Sequence, residues 1–553
     1  MAIDVNTEGK TADSMLTQVE FDPNAVQQEY TDHSGVNDFD RARELAEAHG
    51  LPLVDLAITG VSPEAVKLIP LAVLERVGAI PYTVDDHSVR IALTDPDNVH
   101  GIDELRLTSR LPIEFAVAPL EDVMLEVRRL TRASSAYAAV MEDDSIEVIE
   151  EAADDLDLED GISEGPIVRL VNSIIFQAAE DGASDVHFEP TDDALIIRFR
   201  VDGVLQVTQR VPKQLAIGVV TRVKVLAKLD LAERRKPQDG RITLGTGAAG
   251  RMLDIRVATL PTVEGESVVM RLLDKSRRAP TLEELGFAPL MMGQFRDILQ
   301  RPTGALLVTG PTGSGKSTSL YAALAELNRP EINVITVEDP VEYRLAGISQ
   351  VQINPRAGLT FATALRSILR SDPDVIMVGE IRDVETAKIS IEAAMTGHFV
   401  LSTLHTNDAP SAISRLAEMG VEPFLTSSAV TAVLAQRLVR KLCEDCAEHY
   451  QPTEAELLAA HIAPENLDHY KNATFKRKKG CSRCGNTGYK GRIGVYQFLR
   501  MSEEIAALGA RRASTDEIER AASAGGMSTL WADGLEKVAA GITSIEELGR
   551  VVS

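Results

Sequence analysis

A glycine-rich octapeptide near the middle of this 553-residue chain joins an apolar segment to a helical one. Residues 305–309 have the composition of a buried strand, residues 317–327 have helical periodicity, and the sequence GPTGSGKS lies between them. The spacing matches G-x-x-x-x-G-K-[ST], in which glycines let backbone N–H groups surround phosphate oxygens without obstruction by a Cβ atom. The positive end of the following helix dipole attracts anions as well. The octapeptide therefore predicts a triphosphate-binding loop in an α/β domain.

The side chains of this loop have separate expected tasks. Lys316 can reach the β and γ phosphates as a point charge, and the hydroxyl group of Ser317 can ligate Mg²⁺. Pro311 has no N–H group, so it contributes no donor to the phosphate cradle. The predicted nucleotide-binding residues are Gly310, Thr312, Gly313, Ser314, Gly315, Lys316, Ser317 and Thr318.

Polar residues follow three more apolar segments in the same half of the chain. These segments are residues 334–337, 375–378 and 399–403. They alternate with helical patterns, which is typical of a parallel sheet covered on both faces. Glu338, Glu380 and His405 come just beyond their ends. Because the carboxyl ends of such strands converge on the ligand crevice, these three side chains are candidate catalytic groups.

The residues leave the division of labour between the two carboxylates open. We favour Glu338 as the general base or water-positioning group, with Glu380 acting through Mg²⁺ and its water shell. The two could be exchanged, because Gly379 stands where a Walker B strand usually ends in Asp. His405 is the favoured sensor of the γ-phosphate, whereas the role of His398, just before the last of these segments, is less defined.

The chain's four cysteines form two tight pairs, Cys443-x-x-Cys446 and Cys481-x-x-Cys484. This spacing lets each pair place two thiolates on one tetrahedral ion, so we predict a structural Zn²⁺ site. Redox pairs and an iron–sulfur cluster are the alternatives, and disulfides are disfavoured in a chain that otherwise has the character of a cytosolic protein. The basic run at residues 476–479 is expected to be a solvated face, with an anionic partner surface or lipid as the alternative.

The charge distribution limits the partners of the chain. The formal net charge is -26, and residues 142–164 hold twelve acidic residues and no Lys or Arg, which indicates a solvated linker. Such a chain is repelled by bare phosphate backbones and anionic lipid, so no direct contact with nucleic acid is expected. The first 30 residues lack an apolar signal-peptide core, and no apolar run of about 18 residues is present, so we expect a cytoplasmic protein without a membrane span.

Composition and periodicity divide the chain into five parts. They are a flexible tail at 1–36, a small α/β domain at 37–140, the acidic linker at 141–164, an α+β domain at 165–280, and an ATPase domain at 281–553 with the cysteine insert at 440–490.

Periodicity also predicts individual elements. In the first domain these are helices at 39–49, 63–74 and about 120–133, and strands at 79–83 and 88–93. In the α+β domain they are helices at 166–181 and 213–229, a hairpin of 194–201 and 204–209, and strands at 251–258 and 267–273. The stretch after Ala409 is expected to be mostly helical.

Several of these motifs together resemble one protein family. They are the Walker A loop 310–317, an acidic box at 336–342, a Walker B segment at 369–383, a histidine box at 396–407, and the sequences SDVHFEP at 184–190 and KPQDGR at 236–241. In this combination the chain resembles the secretion-superfamily ATPases of the type II secretion and type IV pilus assembly branch, over residues 165 to about 545.

The resemblance implies a multidomain α/β fold and a hexameric, ATP-hydrolysing motor. Its parts are a RecA-like P-loop motor domain (residues 281–553), a preceding PAS-like domain (residues 165–280), a small N-terminal α/β docking domain and a zinc-binding insert. The implied cofactors are ATP, Mg²⁺ and Zn²⁺. It also implies that Arg241, Arg256 and Arg271 reach the phosphates from the PAS-like domain, because a guanidinium group pairs bidentately with phosphate oxygens. Each arginine could instead form an interdomain salt bridge.

The resemblance also implies membrane partners. In the family, the motor moves an inner-membrane platform protein to extrude pilin or pseudopilin subunits, and the N-terminal domain docks onto a membrane-anchored protein. The expected location is therefore the cytoplasmic face of the inner membrane. Some members bind cyclic di-GMP through an Arg-Leu-Gly motif, which has only a weak echo at residues 43–51, so we favour docking over nucleotide regulation. The cysteine insert argues against a pilus-retraction motor.

Two other functions stay open at this point. One is a DNA-uptake or conjugation-type ATPase, which the acidity of the chain disfavours because a groove that tracks single-stranded DNA is basic and carries stacking aromatic residues. The other is a nucleotide-gated scaffold without turnover, which the complete set of carboxylates disfavours. The sequence does not distinguish a pilus from a secretion system.

Overall fold

The structure, a computed structural model, describes residues 38–85, 87–120, 122–124, 126–127, 165–246, 251–274, 278–460, 462, 467–471 and 473–552. The predicted tail at 1–36 and the acidic linker at 141–164 lie outside these residues. The chain divides into two compact units, one of Met1–Asp55 with Val61–Val127 and one of Leu56–Gly60 with Arg128–Ser553. Among the described residues, no helix combines the length and the apolar character that crossing a membrane requires.

The N-terminal part contains a three-stranded sheet and short helices. Its strands are β1 (Ala79–Val84), β2 (Val89–Leu93) and β3 (Ile113–Val117), with β1 antiparallel and β3 parallel to β2. Its helices are α1 (Asp38–His49), α3 (Pro63–Val66), α4 (Leu71–Val77) and α5 (Val99–Thr108), whereas the short helix α2 (Leu56–Thr59) belongs to the second unit. The predictions of α1, β1 and β2 are confirmed. Beyond α5 and β3, which periodicity did not predict, residues 120, 122–124 and 126–127 are helical, and the rest of the helix predicted near 120–133 lies outside the described residues.

The single helix predicted at 63–74 is wrong, because the structure has two helices there. Pro70 lies between them with φ -58° and ψ 135°, outside the helical region. Proline has no N–H group for the helical ladder and disfavours the helical conformation of the residue before it. Helix α4 then ends at Gly78, whose φ of 69° is left-handed and closes the helix ahead of β1.

The PAS-like domain is a six-stranded antiparallel sheet with two helices. The strands are β4 (Asp185–Pro190), β5 (Ala194–Val201), β6 (Val204–Pro212), β7 (Gln238–Thr246), β8 (Arg251–Thr262) and β9 (Gly265–Asp274), in the order β6-β5-β4-β9-β8-β7. The helices are α6 (Pro166–Glu180) and α7 (Lys213–Leu226). The predicted helices and hairpin are confirmed, and β4 and β7 are additional strands.

The two faces of this sheet differ in character. One face packs apolar side chains such as Val186, Phe188 and Phe199 against α6 and α7. On the other face, charged residues of five strands form one row. Each of these residues is paired in the strand register with the charged residue of the neighbouring strand. The row is Arg200, Asp185, Arg271, Arg256 and Arg241. The alternation of a pleated strand thus collects the three predicted arginines on a single surface.

The motor domain is built on a seven-stranded sheet. Its strands are β10 (Gly304–Thr309), β11 (Val334–Glu338), β12 (Ser349–Gln352), β13 (Val375–Val378), β14 (Phe399–Leu404), β15 (Val430–Leu442) and β18 (Tyr489–Arg500), in the order β12-β11-β13-β14-β10-β15-β18. Neighbouring strands are parallel except β15 and β18. A small ladder of β16 (Glu448–His449) and β17 (Lys476–Arg477) stands apart.

Helices cover both faces of the motor sheet, as the apolar strands predicted. Alternate residues of β10 are buried in different hydrophobic cores. Ala305 and Leu307 belong to the core on one face of the sheet, and Leu306 and Val308 belong to the core on the other face. The helices are α8 (Pro289–Leu299), α9 (Lys316–Leu327), α10 (Phe361–Ile368), α11 (Val384–Met395), α12 (Pro410–Glu418), α13 (Pro423–Ala429), α14 (Glu454–Ala459), α15 (Leu467–Lys471), α16 (Glu503–Ala510), α17 (Thr515–Ala524), α18 (Leu530–Ala539) and α19 (Ile545–Val552).

The expectation of a mostly helical stretch after Ala409 is wrong in part, because β15 and β18 are strands of 13 and 12 residues. The apolar positions of VTAVLAQRLVRKL suit a helix as well as a strand, and its β-branched valines suit a pleated surface. The partner strand is about 50 residues away in the sequence, so pairing with it leaves no local signal. The cysteine insert fills that interval.

The segment that leads from the PAS-like domain into the motor is anchored before α8. Leu282, Leu285 and Phe287 are buried in the same core as α8 and α9. The hydroxyl group of Tyr496 donates a hydrogen bond to the carbonyl oxygen of Leu285 (2.9 Å), and the Tyr496 and Phe287 rings lie 4.3 Å apart. Gly286 turns the chain with φ of 82°. The segment is therefore an integral part of the motor core.

Candidate functional site

The predicted phosphate loop connects β10 to α9, and three glycines shape it. Gly310, Gly313 and Gly315 have φ of 147°, 79° and 86°. A Cβ atom on Gly310 would lie 2.5 Å from the carbonyl oxygen of Gln436, so only glycine fits there. Gly315 caps α9, which places the positive end of the helix dipole at the loop. The loop has the form that the octapeptide predicts.

Gln436 of β15 contacts this loop from the neighbouring strand, and no sequence motif indicated this residue. Its Nε2 atom donates to the carbonyl oxygen of Ser314 (2.7 Å), and its Oε1 atom accepts from the hydroxyl group of Ser319 (2.8 Å). Gln436 is 1% exposed. A buried amide with partners on the loop and on α9 fixes the two relative to each other.

Lys316 is folded back over the loop. Its Nζ atom donates to the carbonyl oxygens of Gly310 (2.9 Å) and Pro311 (3.0 Å). Burial lowers its pKa to about 8, against the opposing effect of the Glu380 charge. Both carbonyl contacts are local, so the ammonium group can exchange them for phosphate oxygens without disturbing the core.

Glu380 and His405 lie together beyond the ends of the neighbouring strands β13 and β14. The Nε2 atom of His405 is 3.7 Å from the Oε2 atom of Glu380, and Arg382 pairs with the other oxygen at 2.7 Å. Burial and the nearby charge of Lys316 lower the pKa of His405. The structure thus brings Lys316, Glu380 and His405 into one electrostatic neighbourhood.

Glu338 has a different environment at the end of β11. It is 3% exposed, and its Oε2 atom accepts a short hydrogen bond from the hydroxyl group of Tyr321. Its Oε1 atom accepts from the hydroxyl group of Thr336 (2.5 Å) and from Nε2 of Gln350 (3.1 Å). Protein donors therefore occupy both carboxylate oxygens, whereas Glu380 lies in the neighbourhood of the loop lysine.

His398 lies apart from this neighbourhood. Its Nδ1 atom is 3.0 Å from the carbonyl oxygen of Ala393 in the last turn of α11. The same carbonyl oxygen also accepts from the backbone N–H groups of Thr396 (3.1 Å) and His398 (3.3 Å), so the ring joins the contacts that close the helix. We assign His398 a structural contact at the end of α11.

The three predicted arginines line a cavity of about 510 Å³ between the PAS-like sheet and the acidic box. Asp339 and Pro340 contribute the motor side of its wall. Arg241 forms a bidentate pair with Asp254, and Nε of Arg271 lies 3.1 Å from Oδ1 of Asp185. Arg256 instead reaches across the cavity, where its Nη2 atom is 3.4 Å from Oε1 of Glu342.

The contact of Arg256 is the interdomain salt bridge considered as its alternative role. Burial raises the pKa of Glu342, and the charges of Arg256 and Arg271 act against that rise. Asp185, Asp254 and Glu342 are thus the partners of Arg271, Arg241 and Arg256. Sequence reasoning did not identify these partners. The alternation of β4 and of the predicted strand β8 could have placed Asp185 and Asp254 on the arginine face, whereas Glu342 follows β11 in the motor domain.

The four cysteines converge at the end of the β15–β18 pair. All are buried, and their Sγ atoms lie within 4.8 Å of one another. Cys443 and Cys481 are 3.8 Å apart and Cys446 and Cys484 are 3.9 Å apart, far beyond a disulfide bond. Thiolates at about 2.3 Å from one tetrahedral ion lie about 3.8 Å apart, so the arrangement fits Zn²⁺.

Backbone donors support this cluster. The N–H groups of Cys481 (3.2 Å) and Gly488 (3.1 Å) point at the Sγ atom of Cys484. Such donors stabilise thiolate charge, as ligand sulfurs need.

The basic run at 476–479 is largely neutralised within the chain. Arg477 and Lys479 pair with Glu448 at 3.3 and 3.0 Å, and Lys478 pairs with Glu546 at 2.8 Å. These contacts match the expected solvated face better than a surface kept for an anionic partner.

Two family models and several known proteins match this chain. Residues 160–550 match the family described as Type II/IV secretion system protein, and residues 49–136 match the MshEN domain. The chain is 41% identical over 509 residues to the type IV pilus assembly ATPase PilB of Myxococcus xanthus, covering 91% of this chain and 89% of that protein. It is 44% identical over 522 residues to the type II secretion system protein E of Xanthomonas campestris, covering 93% and 91%.

A solved structure shares the fold. The ATPase DotB of Legionella pneumophila superposes with a TM-score of 0.51 at 20% identity, over 68% of this chain and 94% of that chain. At this identity the likeness concerns the fold alone. The family match covers most of the chain, and the matches to the Myxococcus xanthus and Xanthomonas campestris proteins cover 89% and 91% of those proteins. The chain therefore belongs to the type II/IV secretion system protein family.

Proposed function

We propose that this chain is an ATP-hydrolysing motor for pilin or pseudopilin assembly, in a type IV pilus or a type II secretion system. The observation that carries the proposal is the neighbourhood of Lys316, Glu380 and His405 beside a loop shaped for phosphate. A relative named as a type IV pilus assembly ATPase covers 91% of this chain, and one named as a type II secretion system ATPase covers 79% of it, which supports the same activity.

In this proposal, residues 310–318 hold the triphosphate. Lys316 leaves the carbonyl groups of the loop and contacts the β and γ phosphates. Mg²⁺, held by Ser317 and by carboxylates through water, would neutralise charge on the phosphates. The loop glycines leave the backbone N–H groups free of Cβ obstruction.

Glu380 is the proposed group that polarises the attacking water. Its side chain is 15% exposed and its charge acts on Lys316, whereas Glu338 is 3% exposed and bonded to the buried hydroxyl groups of Tyr321 and Thr336. This exchanges the two roles favoured from the sequence. His405, neutral because its pKa is lowered, can accept or donate one hydrogen bond beside Glu380 and so report the presence of the γ-phosphate.

The arginine row supplies the proposed link between hydrolysis and motion. A phosphate group competes with Asp185, Asp254 and Glu342 for Arg271, Arg241 and Arg256, because charge-assisted bidentate contacts to phosphate are strong. Movement of the PAS-like sheet would then follow the state of the nucleotide.

Cys443, Cys446, Cys481 and Cys484 are the proposed ligands of a structural Zn²⁺ ion. The further proposed partners are five copies of the chain in a homohexamer, an inner-membrane platform protein, and a membrane-anchored protein that the N-terminal domain docks onto. Cyclic di-GMP binding is the less favoured role of that domain. These partners would place the chain at the cytoplasmic face of the inner membrane.

The test is phosphate release by the purified full chain with ATP and Mg²⁺. We expect turnover by the parent chain and its loss in Lys316→Ala. Turnover by that variant at the parental rate would contradict the assigned site. A parent chain that binds ATP without releasing phosphate would favour a nucleotide-gated scaffold, and retention of DNA on a filter at low salt would favour a DNA-handling ATPase.

A further inference from the structure

Tyr321 lies on α9, just over one turn beyond the phosphate loop, and is 1% exposed. Its hydroxyl group donates to the Oε2 atom of Glu338. The hydroxyl oxygen of Tyr321 in turn accepts from the backbone N–H groups of Glu342 (3.0 Å) and Tyr343 (3.3 Å). One donor and two acceptor positions are the full capacity of a phenolic hydroxyl group, so all of it is used inside the protein.

These bonds connect three parts of the site. Tyr321 moves with α9, and therefore with the loop that would hold the phosphates. Glu338 ends β11, and the following chain up to Tyr343 forms the acidic box. The backbone N–H group of Glu342 donates to the hydroxyl oxygen of Tyr321. The Oε1 atom of the same Glu342 lies 3.4 Å from the Nη2 atom of Arg256 in the PAS-like sheet. A continuous series of contacts thus runs from the phosphate loop through Tyr321 and Glu342 to the arginine row.

The ring and the hydroxyl group of Tyr321 have separable contributions. The ring packs against Tyr343 edge to face, with centroids 5.2 Å apart. If the hydroxyl group is removed, Thr336 and Gln350 still donate to the Oε1 atom of Glu338, and its Oε2 atom loses the bond from Tyr321. Burial and the Glu338 carboxylate raise the pKa of Tyr321, so it remains a neutral donor at physiological pH. Phenylalanine in its place would keep the packing and lose the three hydrogen bonds.

We propose that Tyr321 is a positioning residue, whose hydroxyl group holds the acidic box against α9 so that Glu342 faces Arg256. This inference rests on the proposed ATP hydrolysis, because the positioned groups act on the phosphates. Tyr321 itself contacts no phosphate. It fixes the position of Glu342 in the acidic box opposite Arg256 of the PAS-like domain, and so couples the nucleotide to domain movement.

The test compares Tyr321→Phe with the parent full chain in steady-state ATP hydrolysis. We expect kcat to fall about tenfold, the rate equivalent of one well-placed hydrogen bond, while KM for ATP changes little. The loop and Lys316 are intact in this variant, so ground-state binding persists. A loss confined to KM, or unchanged constants, would overturn the proposal, and so would failure of the variant to fold, since that would make the role purely structural.

The matched control is Tyr470→Phe. Tyr470 also donates from its hydroxyl group to a glutamate, Oε1 of Glu536 at 3.0 Å, but at the junction of α15 and α18 away from the phosphate loop. We expect this variant to keep the parental kcat. A comparable loss of kcat in both variants would show that any tyrosine–glutamate hydrogen bond of the motor has this effect, and would remove the special role of Tyr321.

Two more measurements separate positioning from stability and from the proposed function. In an Arg256→Gln background, where the arginine contact is already lost, Tyr321→Phe should cost less than about threefold in kcat. If the loss of kcat in the double variant equals the product of the losses in the two single variants, Tyr321 and Arg256 act independently and the proposed coupling is contradicted. Hydrogen exchange at the amides of Glu342 and Tyr343 should accelerate in Tyr321→Phe and not in Tyr470→Phe. That readout holds even if the parent releases no phosphate, so the two proposals fail separately.

Discussion

The Nε2 atom of His405 lies 3.7 Å from the Oε2 atom of Glu380, and the two residues follow neighbouring parallel strands, β14 and β13. This pair is the point where the sheet topology turns separate sequence motifs into one site. We expect Glu380→Gln to lower ATP turnover by about 100-fold or more, because the amide cannot take a proton from water. Binding of a fluorescent ATP analogue should persist.

The control for that variant is Glu385→Gln. Glu385 is an exposed residue of α11, the helix after the Walker B segment, and it pairs with Arg366 of α10. This variant should hydrolyse ATP at the parental rate. Parental turnover by Glu380→Gln itself would return the role of base to Glu338.

Glu338→Gln should act mainly on stability. The carboxylate accepts from Tyr321, Thr336 and Gln350 in a buried position, and an amide would set its NH₂ group against these donors. An unsatisfied buried donor costs about 1–3 kcal/mol. Thermal unfolding should show a lower midpoint for the motor transition than in Glu380→Gln, and equal midpoints would contradict this reading of the two carboxylates.

ATP affinity should depend on pH through Lys316. Burial lowers the pKa of this ammonium group to about 8 in the nucleotide-free protein, and phosphate charge would raise it. Well below pH 8 the group is already protonated and binding takes up no proton; above it, binding requires proton uptake. The apparent affinity should therefore fall as pH rises through about 8.

Calorimetry in two buffers of different ionisation enthalpy would measure that proton uptake. Lys316→Arg is the control, because arginine stays charged throughout this range and should bind without the pH dependence. An affinity of the parent that is constant between about pH 7 and 9.5 would contradict the lowered pKa.

Metal content tests the cysteine cluster. We expect about one Zn²⁺ per purified chain, its loss in Cys446→Ser, and a lower unfolding midpoint after chelation, because the ion ties the ends of the insert together. Lys479→Gln, which changes a neighbouring ion pair with Glu448, should retain the metal. Iron in place of zinc would point to the cluster that the spacing left as an alternative.

Local patterns predicted the parts of the site that lie on contiguous sequence. The phosphate loop, the ends of β11, β13 and β14, and the cysteine pairs were all visible, because each depends on spacing within a few residues. Glu342 entered only as a member of the acidic box, since nothing near it in the sequence indicates Arg256, 86 residues away.

The residues that sequence reasoning missed depend on packing between distant segments. Gln436 was hidden in a stretch expected to be helical, and its function follows from β15 lying beside β10. Tyr321 lies in a correctly predicted helix, where it resembled an ordinary core residue. Asp254 belongs to a strand whose residues 251–258 were expected, but the expectation said nothing about which strand would pair with it. Only Pro70, which divides α3 from α4, carried a local signal that should have been used.

The anchoring of Leu282, Leu285 and Phe287 decides how this protein can be dissected. A fragment that starts at α8 would lack these three side chains and leave Phe295 and Tyr496 facing water, with the hydroxyl group of Tyr496 deprived of its acceptor. Such a fragment should aggregate or unfold readily. A motor fragment that starts before Leu282 retains all the side chains of its core. Any rotation of the PAS-like sheet relative to the motor must then occur about residues that precede Leu282.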